Sequence, residues 1–212
     1  MQSVCCYQFG SPDALERVDV DTPKPGSGEV LVEITAAGVG FVDGLMVQGL
    51  YQVKPPLPYY PGSEFAGIVR TVGANVQGFI PGDRVMGLAS SGAFADALTI
   101  NAKQLIKLPA ILDDATAAGL YINYATALYG LRDCGDLKSG ETILILGAAG
   151  GVGSAAISVA KAMGAYVIAA ASTAGKRDAA ITFGADEVVD YSQPDWRDTL
   201  KAMTQGRGLN LV

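Results

Sequence analysis

The chain has 212 residues, of which 50% are hydrophobic and 17% are charged, and its net charge is −6 at pH 7. This composition is typical of a globular protein, and the acidic balance argues against a nucleic-acid partner or an anionic membrane surface. The first residues lack the basic start and apolar core of a signal peptide, and no apolar run reaches the length of a membrane span, so a cytoplasmic location is expected.

Histidine is absent from the sequence. Its absence excludes His-based acid–base catalysis, Ser–His triads and almost all catalytic zinc sites. The three cysteines, Cys5, Cys6 and Cys134, lack the spacing of metal ligands, and buried reduced thiols are their expected state. We therefore expect no metal site in this chain.

Residues 1–115 are predicted to form a β-rich domain. Apolar and polar side chains alternate over 30–35, which indicates a strand, and 65–69 and 84–88 are further strand candidates. Turns rich in glycine and proline separate these segments, as expected of a compact barrel or sandwich. A less regular segment, 39–60, contains a stiff proline-rich loop of the kind that often contacts substrates.

Residues 116–212 alternate between strand and helix patterns, which predicts a parallel α/β sheet with right-handed crossovers. An acidic turn at Asp113 and Asp114 begins a helix that Gly135 can terminate. The elements predicted after it are a strand at 142–146, a helix ending before Gly164, a strand at 166–171, a helix at 173–183, a strand at 187–191, a helix capped by Ser192 and a strand beginning at 209–212.

The number of strands bears on the completeness of this second domain. A doubly wound dinucleotide-binding fold uses about six strands in two halves. The sequence supplies one half and the start of a fourth strand, and its last residues fall inside a strand pattern. We therefore expect an α/β Rossmann domain that is truncated, or one half of a split or swapped arrangement.

The turn after the first strand of this second domain is rich in glycine. Residues 151–156 fit the pattern G-x-G-x-x-G/A, in which Gly151 permits the turn, Gly153 leaves room for a pyrophosphate and Ala156 keeps the helix close to the strand. Val152 is expected on the buried face of that helix. Backbone amides at the positive end of the helix can bind phosphate. A glycine-rich turn that only packs is the alternative.

The residues after the second strand bear on the choice between NADH and NADPH. NAD sites usually carry an acidic residue about 20 positions after the glycine pattern. This sequence has Ser172 there, followed by Lys176 and Arg177. A hydroxyl and a cation suit a 2′-phosphate, which a carboxylate would repel. NADPH is therefore the expected cofactor, and Arg177 is best interpreted as an ordinary solvated charge.

Several ordered motifs together resemble those of one protein family. They are YYPGSEFAGIV, PGDRVMG, GAAGGVG and GADEVVDY, which start at residues 59, 81, 147 and 184. The chain resembles the zeta-crystallin/quinone oxidoreductase branch of the medium-chain dehydrogenase/reductase superfamily. The resemblance implies a GroES-like N-terminal domain, a Rossmann domain and an active site in the cleft between them. It also implies hydride transfer from NADPH to a quinone or an α,β-unsaturated carbonyl.

The same resemblance implies roles for single residues. Zinc-dependent relatives carry Cys and His ligands where this chain reads Gly40-Phe41 and Gly62-Ser63-Glu64, so the metal-free branch is the better match. Tyr51 matches the family tyrosine near the nicotinamide and substrate, and it is the candidate donor to the developing oxyanion. Thr126 matches the threonine beside the nicotinamide. The other implied contacts are with the pyrophosphate, at Ala149, Gly150, Gly151, Val152 and Gly153, and with the adenosine phosphate and ribose, at Ser172, Lys176 and Tyr191.

Two alternative functions remain. One is an enoyl-thioester reductase, which uses the same hydride chemistry. The other is a non-catalytic dinucleotide-binding or structural protein, which the missing second half of the sheet would favour. The implied partner is a small-molecule quinone or enone. Homodimers are implied for the full-length family, whose dimerising sheet edge is not part of this sequence.

Overall fold

The computed structural model describes residues 1–212, and the chain divides into two compact units, Met1–Ile122 and Asn123–Val212. The domain boundary expected between residues 115 and 116 stays a prediction, since compact units and domains need not coincide. No helix combines the length and the hydropathy that crossing a bilayer requires.

Unit 1, Met1–Ile122, is mainly β-structure. Its elements are β1 (Gln2–Cys5), β2 (Glu16–Asp19), β3 (Glu29–Ala37), α1 (Phe41–Val47), β4 (Glu64–Val72), β5 (Arg84–Leu88), β6 (Ala97–Asn101), β7 (Leu105–Lys107) and α2 (Asp114–Ala118). Five of the strands form an antiparallel sheet in the order β6–β3–β4–β5–β7, while β1 pairs with β2. The strand predicted from alternation at 30–35 is confirmed as part of β3, and the two further candidates, 65–69 and 84–88, are confirmed as β4 and β5.

One face of the five-stranded sheet forms the main core of unit 1. Val30 and Val32 on β3 are fully buried, and they belong to one cluster with Phe65, Val69 and Val85 of the neighbouring strands. Each such side chain contributes roughly 1.5–3 kcal/mol when it is removed from water. Because one face is buried, the period of two is visible in the sequence.

Unit 2, Asn123–Val212, is an α/β structure. Helix α3 (Tyr121–Leu128) carries the chain into it and continues as a π-helical segment, Tyr129–Cys134. The elements that follow are β8 (Thr142–Leu146), α4 (Gly151–Ala162), β9 (Tyr166–Ala170), α5 (Ala174–Thr182), β10 (Glu187–Val189) and α6 (Trp196–Met203). The strands form a parallel sheet in the order β10–β9–β8.

Both faces of the parallel sheet are covered by helices. Alanines of α4 and α5 pack with Ile143, Val167 and other residues on one face. Trp196, Leu200 and Met203 of α6, which are spaced to lie on one side of that helix, pack over Leu144 and Ile168 on the other face. Burial on both faces explains why these strands read as continuous apolar runs rather than alternating ones.

The helix predicted from Asp113 to Gly135 is interrupted. Helix α2 ends at Gly119, and α3 begins at Tyr121. The predicted start is confirmed, because Asp113 Oδ1 accepts a hydrogen bond from the Thr116 amide at 2.8 Å. The strong helix formers before Gly119 and the helical spacing of the apolar residues after it concealed the interruption in the sequence.

One further local prediction was wrong. Ser192 does not cap α6, which begins four residues later, and its hydroxyl donates to Asp190 Oδ1 at 2.5 Å. The strand expected to begin at 209–212 is present as its start, a parallel bridge between Leu211 and Ile143 of β8, beside which the Leu144 amide donates to Leu211 O at 3.0 Å.

The cysteines divide into two groups. Cys5 and Cys6 are buried free thiols, as predicted, whereas Cys134 is an exposed free thiol at the end of the π-helical segment. The expectation of a buried thiol is therefore wrong for Cys134.

Candidate functional site

The glycine-rich turn joins β8 to α4. Gly147 follows the strand with φ = +61°, a left-handed conformation that favours glycine, and its carbonyl accepts a hydrogen bond from the Gly150 amide at 2.9 Å. Gly150 then precedes the first helical residue and supplies no side chain to cap it. The first amides of α4, from Gly151 to Gly153, therefore have no acceptor within the helix.

Gly153 allows a close approach between the helix and the turn. A Cβ atom at this position would lie 2.4 Å from the Gly147 carbonyl oxygen and 2.9 Å from Ala148 Cα. The expected role of Gly151 in the turn therefore needs correction, because Gly147 takes the left-handed conformation instead. Gly153 is required for packing within the protein, and the room that it leaves for a pyrophosphate stays a prediction.

Two other residues of the turn differ from expectation. Val152 is 42% exposed, so it does not belong to the buried face of α4, whereas Ala156 and Ala160 do. A Cβ at Gly151 would lie 2.8 Å from Asn123 Oδ1, so the Asn123 side chain lies against the turn. Sequence reasoning missed Asn123, since no motif or spacing links it to a glycine 28 positions later.

The carboxyl ends of the three parallel strands bring several predicted residues to one edge of the sheet. The Ala148 amide donates to Ala170 O at 3.4 Å, and the Ala171 amide donates to Val189 O at 3.1 Å. Ser172 and Tyr191 each lie two residues beyond the ends of β9 and β10, and the glycine turn follows β8. Ligands of open α/β sheets bind outside this edge.

Lys176 and Arg177 lie in the first turn of α5 but differ in their contacts. The Lys176 side chain is exposed, and no acidic group pairs with it within the chain. Arg177 Nη1 donates to Ala171 O at 3.1 Å and pairs with Asp190 at 2.8 Å, with the two charged side chains only 22% and 21% exposed. Arg177 is therefore a structural residue rather than an ordinary solvated charge, and Lys176 is the cation left available at this edge.

The two residues predicted near the nicotinamide lie in different units. Tyr51 lies in unit 1, in the loop after α1, and is half-buried. Thr126 lies on α3 in unit 2 and is exposed. Their roles stay predictions.

The positions of the zinc ligands in zinc-dependent relatives do not fit a metal in this chain. Gly40 and Ser63 supply no ligand that could replace Cys and His. The nearby Asp43 accepts from the Gly40 amide at 2.8 Å and from the Ser63 hydroxyl at 3.5 Å. Glu64 accepts from the Ile122 amide at 2.9 Å. No three Cys, Asp and Glu side chains come together in an arrangement that could hold an ion.

The two carboxyl groups in this region are buried, with Asp43 6% and Glu64 4% exposed. Burial raises the pKa of Asp43, against the opposing effect of the Gly40 amide. Burial also raises the pKa of Glu64. The hydrogen bond from the Ile122 amide opposes this rise, and the charge of Asp43 adds to it. Both groups thus sit in an environment that disfavours their ionised forms.

Comparison with known proteins agrees with this architecture. The family model described as the alcohol dehydrogenase GroES-like domain matches residues 26–110, and the model described as zinc-binding dehydrogenase matches residues 151–212. The chain is 35% identical to human quinone oxidoreductase over all of its own length and 65% of that protein.

Solved structures extend the comparison. A probable oxidoreductase from Mycobacterium abscessus is 39% identical, with a TM-score of 0.92 over 99% of this chain and 67% of that one. Escherichia coli quinone oxidoreductase complexed with NADPH is 35% identical, with a TM-score of 0.91 over 99% of this chain and 64% of that one. The chain therefore spans about two thirds of the length of these relatives.

These similarities agree with the order of the units along the chain, a GroES-like β-rich part followed by part of a Rossmann-like parallel sheet. The chain belongs to the quinone oxidoreductase branch of the medium-chain dehydrogenase/reductase superfamily.

Proposed function

We propose that the whole protein is an NADPH-dependent oxidoreductase that transfers a hydride to a quinone or an α,β-unsaturated carbonyl without using a metal. The observation that carries the proposal is the edge formed by the glycine turn and Ser172. There the first amides of α4 have no acceptor within the helix, and the next strand ends without a carboxylate. The names of the human and Escherichia coli relatives support the acceptor, and the NADPH complex of the latter supports the cofactor.

The cofactor-binding roles follow from the chemistry of this edge. The amides from Ala149 to Gly153 would hold the pyrophosphate, since backbone N–H groups at a helix N-terminus attract anions. Lys176 would pair with the 2′-phosphate, and Ser172 and Tyr191 would donate hydroxyl hydrogen bonds to the phosphate or ribose. Asp190 does not oppose this binding, because Arg177 already neutralises it.

The remaining roles concern the reacting groups. NADPH supplies the hydride when it is bound, so the chain contributes position and electrostatics. Thr126 is proposed to position the nicotinamide. Tyr51 is proposed to donate its hydroxyl proton as a hydrogen bond to the acceptor oxygen, on which negative charge develops.

Cofactor binding can be tested on the chain as it stands by fluorescence titration with NADPH and NADH. We expect Lys176→Ala to weaken NADPH binding about tenfold, or about 1.4 kcal/mol, and to leave NADH binding unchanged. Lys201→Ala is the matched control, because Lys201 is an exposed lysine of α6 in the same unit. Equal losses for both cofactors would contradict the 2′-phosphate contact, and no NADPH binding by the wild type would contradict the proposal for this chain.

The acceptor can be tested with the natural protein, NADPH and a panel of quinones, enones and enoyl-CoA thioesters. Turnover of quinones or enones is the expected result. Turnover of enoyl thioesters alone would identify the protein as an enoyl-thioester reductase instead.

A further inference from the structure

The first turn of α3 is held by a distant side chain. The helix is preceded by Leu120, whose apolar side chain cannot accept from helical amides. Helices in general leave the amides of their first turn without an acceptor in the helix itself. One of them, the Ile122 amide, donates to Glu64 Oε2 at 2.9 Å. Glu64 is the first residue of β4 and lies 58 positions away in the sequence. A carboxylate also interacts favourably with the positive end of a helix.

The space around Glu64 is shaped for this side chain. The Gly38 amide donates to the Glu64 carbonyl at 3.0 Å. A Cβ at Gly38 would lie 2.8 Å from Glu64 Oε1 and 2.3 Å from the Ala118 carbonyl oxygen. Glycine at this position therefore leaves room for the carboxyl group beside the end of α2.

Keeping a carboxyl group in this place is costly. Glu64 is 4% exposed, the neighbouring charged group is Asp43, and no Lys or Arg pairs with either. A buried charge without a cation is unfavourable, and an apolar side chain would fill the same space at lower cost. Residues that break such a local rule commonly serve function.

We propose that Glu64 is a positioning residue that fixes the first turn of α3, the helix on which Thr126 lies. Thr126 lies four positions after Ile122, which places the two residues on the same side of the helix. The inference rests on the proposed function, in which Thr126 positions the nicotinamide. It assigns a role to a carboxyl group that the hydride transfer itself does not use.

The helix contact is tested by amide hydrogen exchange at Ile122 in the wild type, Glu64→Leu and Glu64→Gln. We expect exchange at least about tenfold faster in Glu64→Leu and an intermediate rate in Glu64→Gln, since an amide oxygen is a weaker acceptor than a carboxylate. Glu33→Gln is the control, because Glu33 lies on the adjacent strand and makes an exposed ion pair with Arg70. Exchange at Ile122 that is unchanged by both Glu64 substitutions would overturn the proposal. Glu64→Gln decides alone if Glu64→Leu does not fold.

The effect of Glu64 on catalysis is tested by steady-state kinetics of the natural protein with NADPH and a quinone. We expect kcat to fall about tenfold in Glu64→Leu, the acceptor KM to change less than about twofold, and Glu64→Gln to recover most of the loss. Faster exchange with unchanged kcat would overturn the positioning role. A wild type that neither binds NADPH nor turns over would overturn the proposed function, and the exchange measurement would still show separately whether Glu64 holds the helix.

Discussion

At Gly153 the structure has no space for even one methyl group. A Cβ there would lie 2.4 Å from the Gly147 carbonyl oxygen and 2.9 Å from Ala148 Cα, and both of these neighbours are backbone atoms that cannot easily shift. We expect Gly153→Ala to lower the free energy of unfolding by about 1–3 kcal/mol, the usual cost of overpacking, and to weaken NADPH binding. Urea unfolding and NADPH titration measure the two effects.

The matched control for this prediction is Gly175→Ala. Gly175 lies in α5 of the same unit, and no atom lies within 4 Å of its added Cβ. Since alanine is the better helix former, this change should stabilise the protein by roughly 0.5–1 kcal/mol. Equal stabilities for the two variants would show that the turn relaxes around the methyl group and that Gly153 has no packing role.

The same turn shows what single residues reveal in a sequence. The glycines are visible there because a strand pattern precedes them and a helix pattern follows. The structural role of each glycine is not visible in the sequence, because the contact between Gly153 and Gly147 depends on the path of the turn in space. Asn123 is hidden for the same reason, because its approach to Gly151 depends on how α3 packs.

At the scale of elements, helix caps offer a direct comparison. Asp113 accepts from both the amide and the hydroxyl of Thr116 at 2.8 Å. Asp195 occupies the corresponding position before α6 but makes no such bond. We expect Asp113→Ala to raise the ratio of unfolded to folded protein about fivefold, as is typical of a lost N-cap, and Asp195→Ala to change it little. Chemical denaturation of both variants checks this, and a larger effect at Asp195 would contradict it.

Elements with a strong periodic or capping signal could be predicted from the sequence, and those that depend on competition between neighbours could not. Asp113 marked the start of α2 because its partner is three residues away. Ser192 misled because its hydroxyl donates to Asp190 Oδ1, two residues earlier, and accepts from no amide at the start of a helix. The interruption at Gly119 was concealed for a related reason. Helix propensity is a local property, whereas the carboxyl group that accepts from the first turn of α3 belongs to Glu64, 58 positions away.

At the scale of the whole molecule, the pH dependence of stability depends on carboxyl groups whose pKa values are shifted in opposite directions by folding. The Thr35 hydroxyl and then Arg84 lower the pKa of Asp114, so its contribution is present at neutral pH and is lost as pH falls through the lowered folded pKa. Burial raises the pKa of Asp43 and of Glu64, so the folded state holds these protons longer than the unfolded state does. Their contribution is present in acid and is lost as pH rises through the raised folded pKa.

Two substitutions separate these opposing effects. Asparagine at position 43 can still accept from the Gly40 amide but does not ionise, so the stability of Asp43→Asn relative to the wild type should increase as pH rises above the ordinary aspartate range. Asp114→Asn should show the opposite sign, since it removes a contribution that is largest at neutral pH. Urea unfolding of the three proteins between about pH 4 and pH 8 measures both trends. Parallel stability curves for Asp43→Asn and the wild type would mean that Asp43 has the same pKa in the folded and unfolded states. The effect of burial on this pKa would then be offset by a partner other than Gly40 and Ser63.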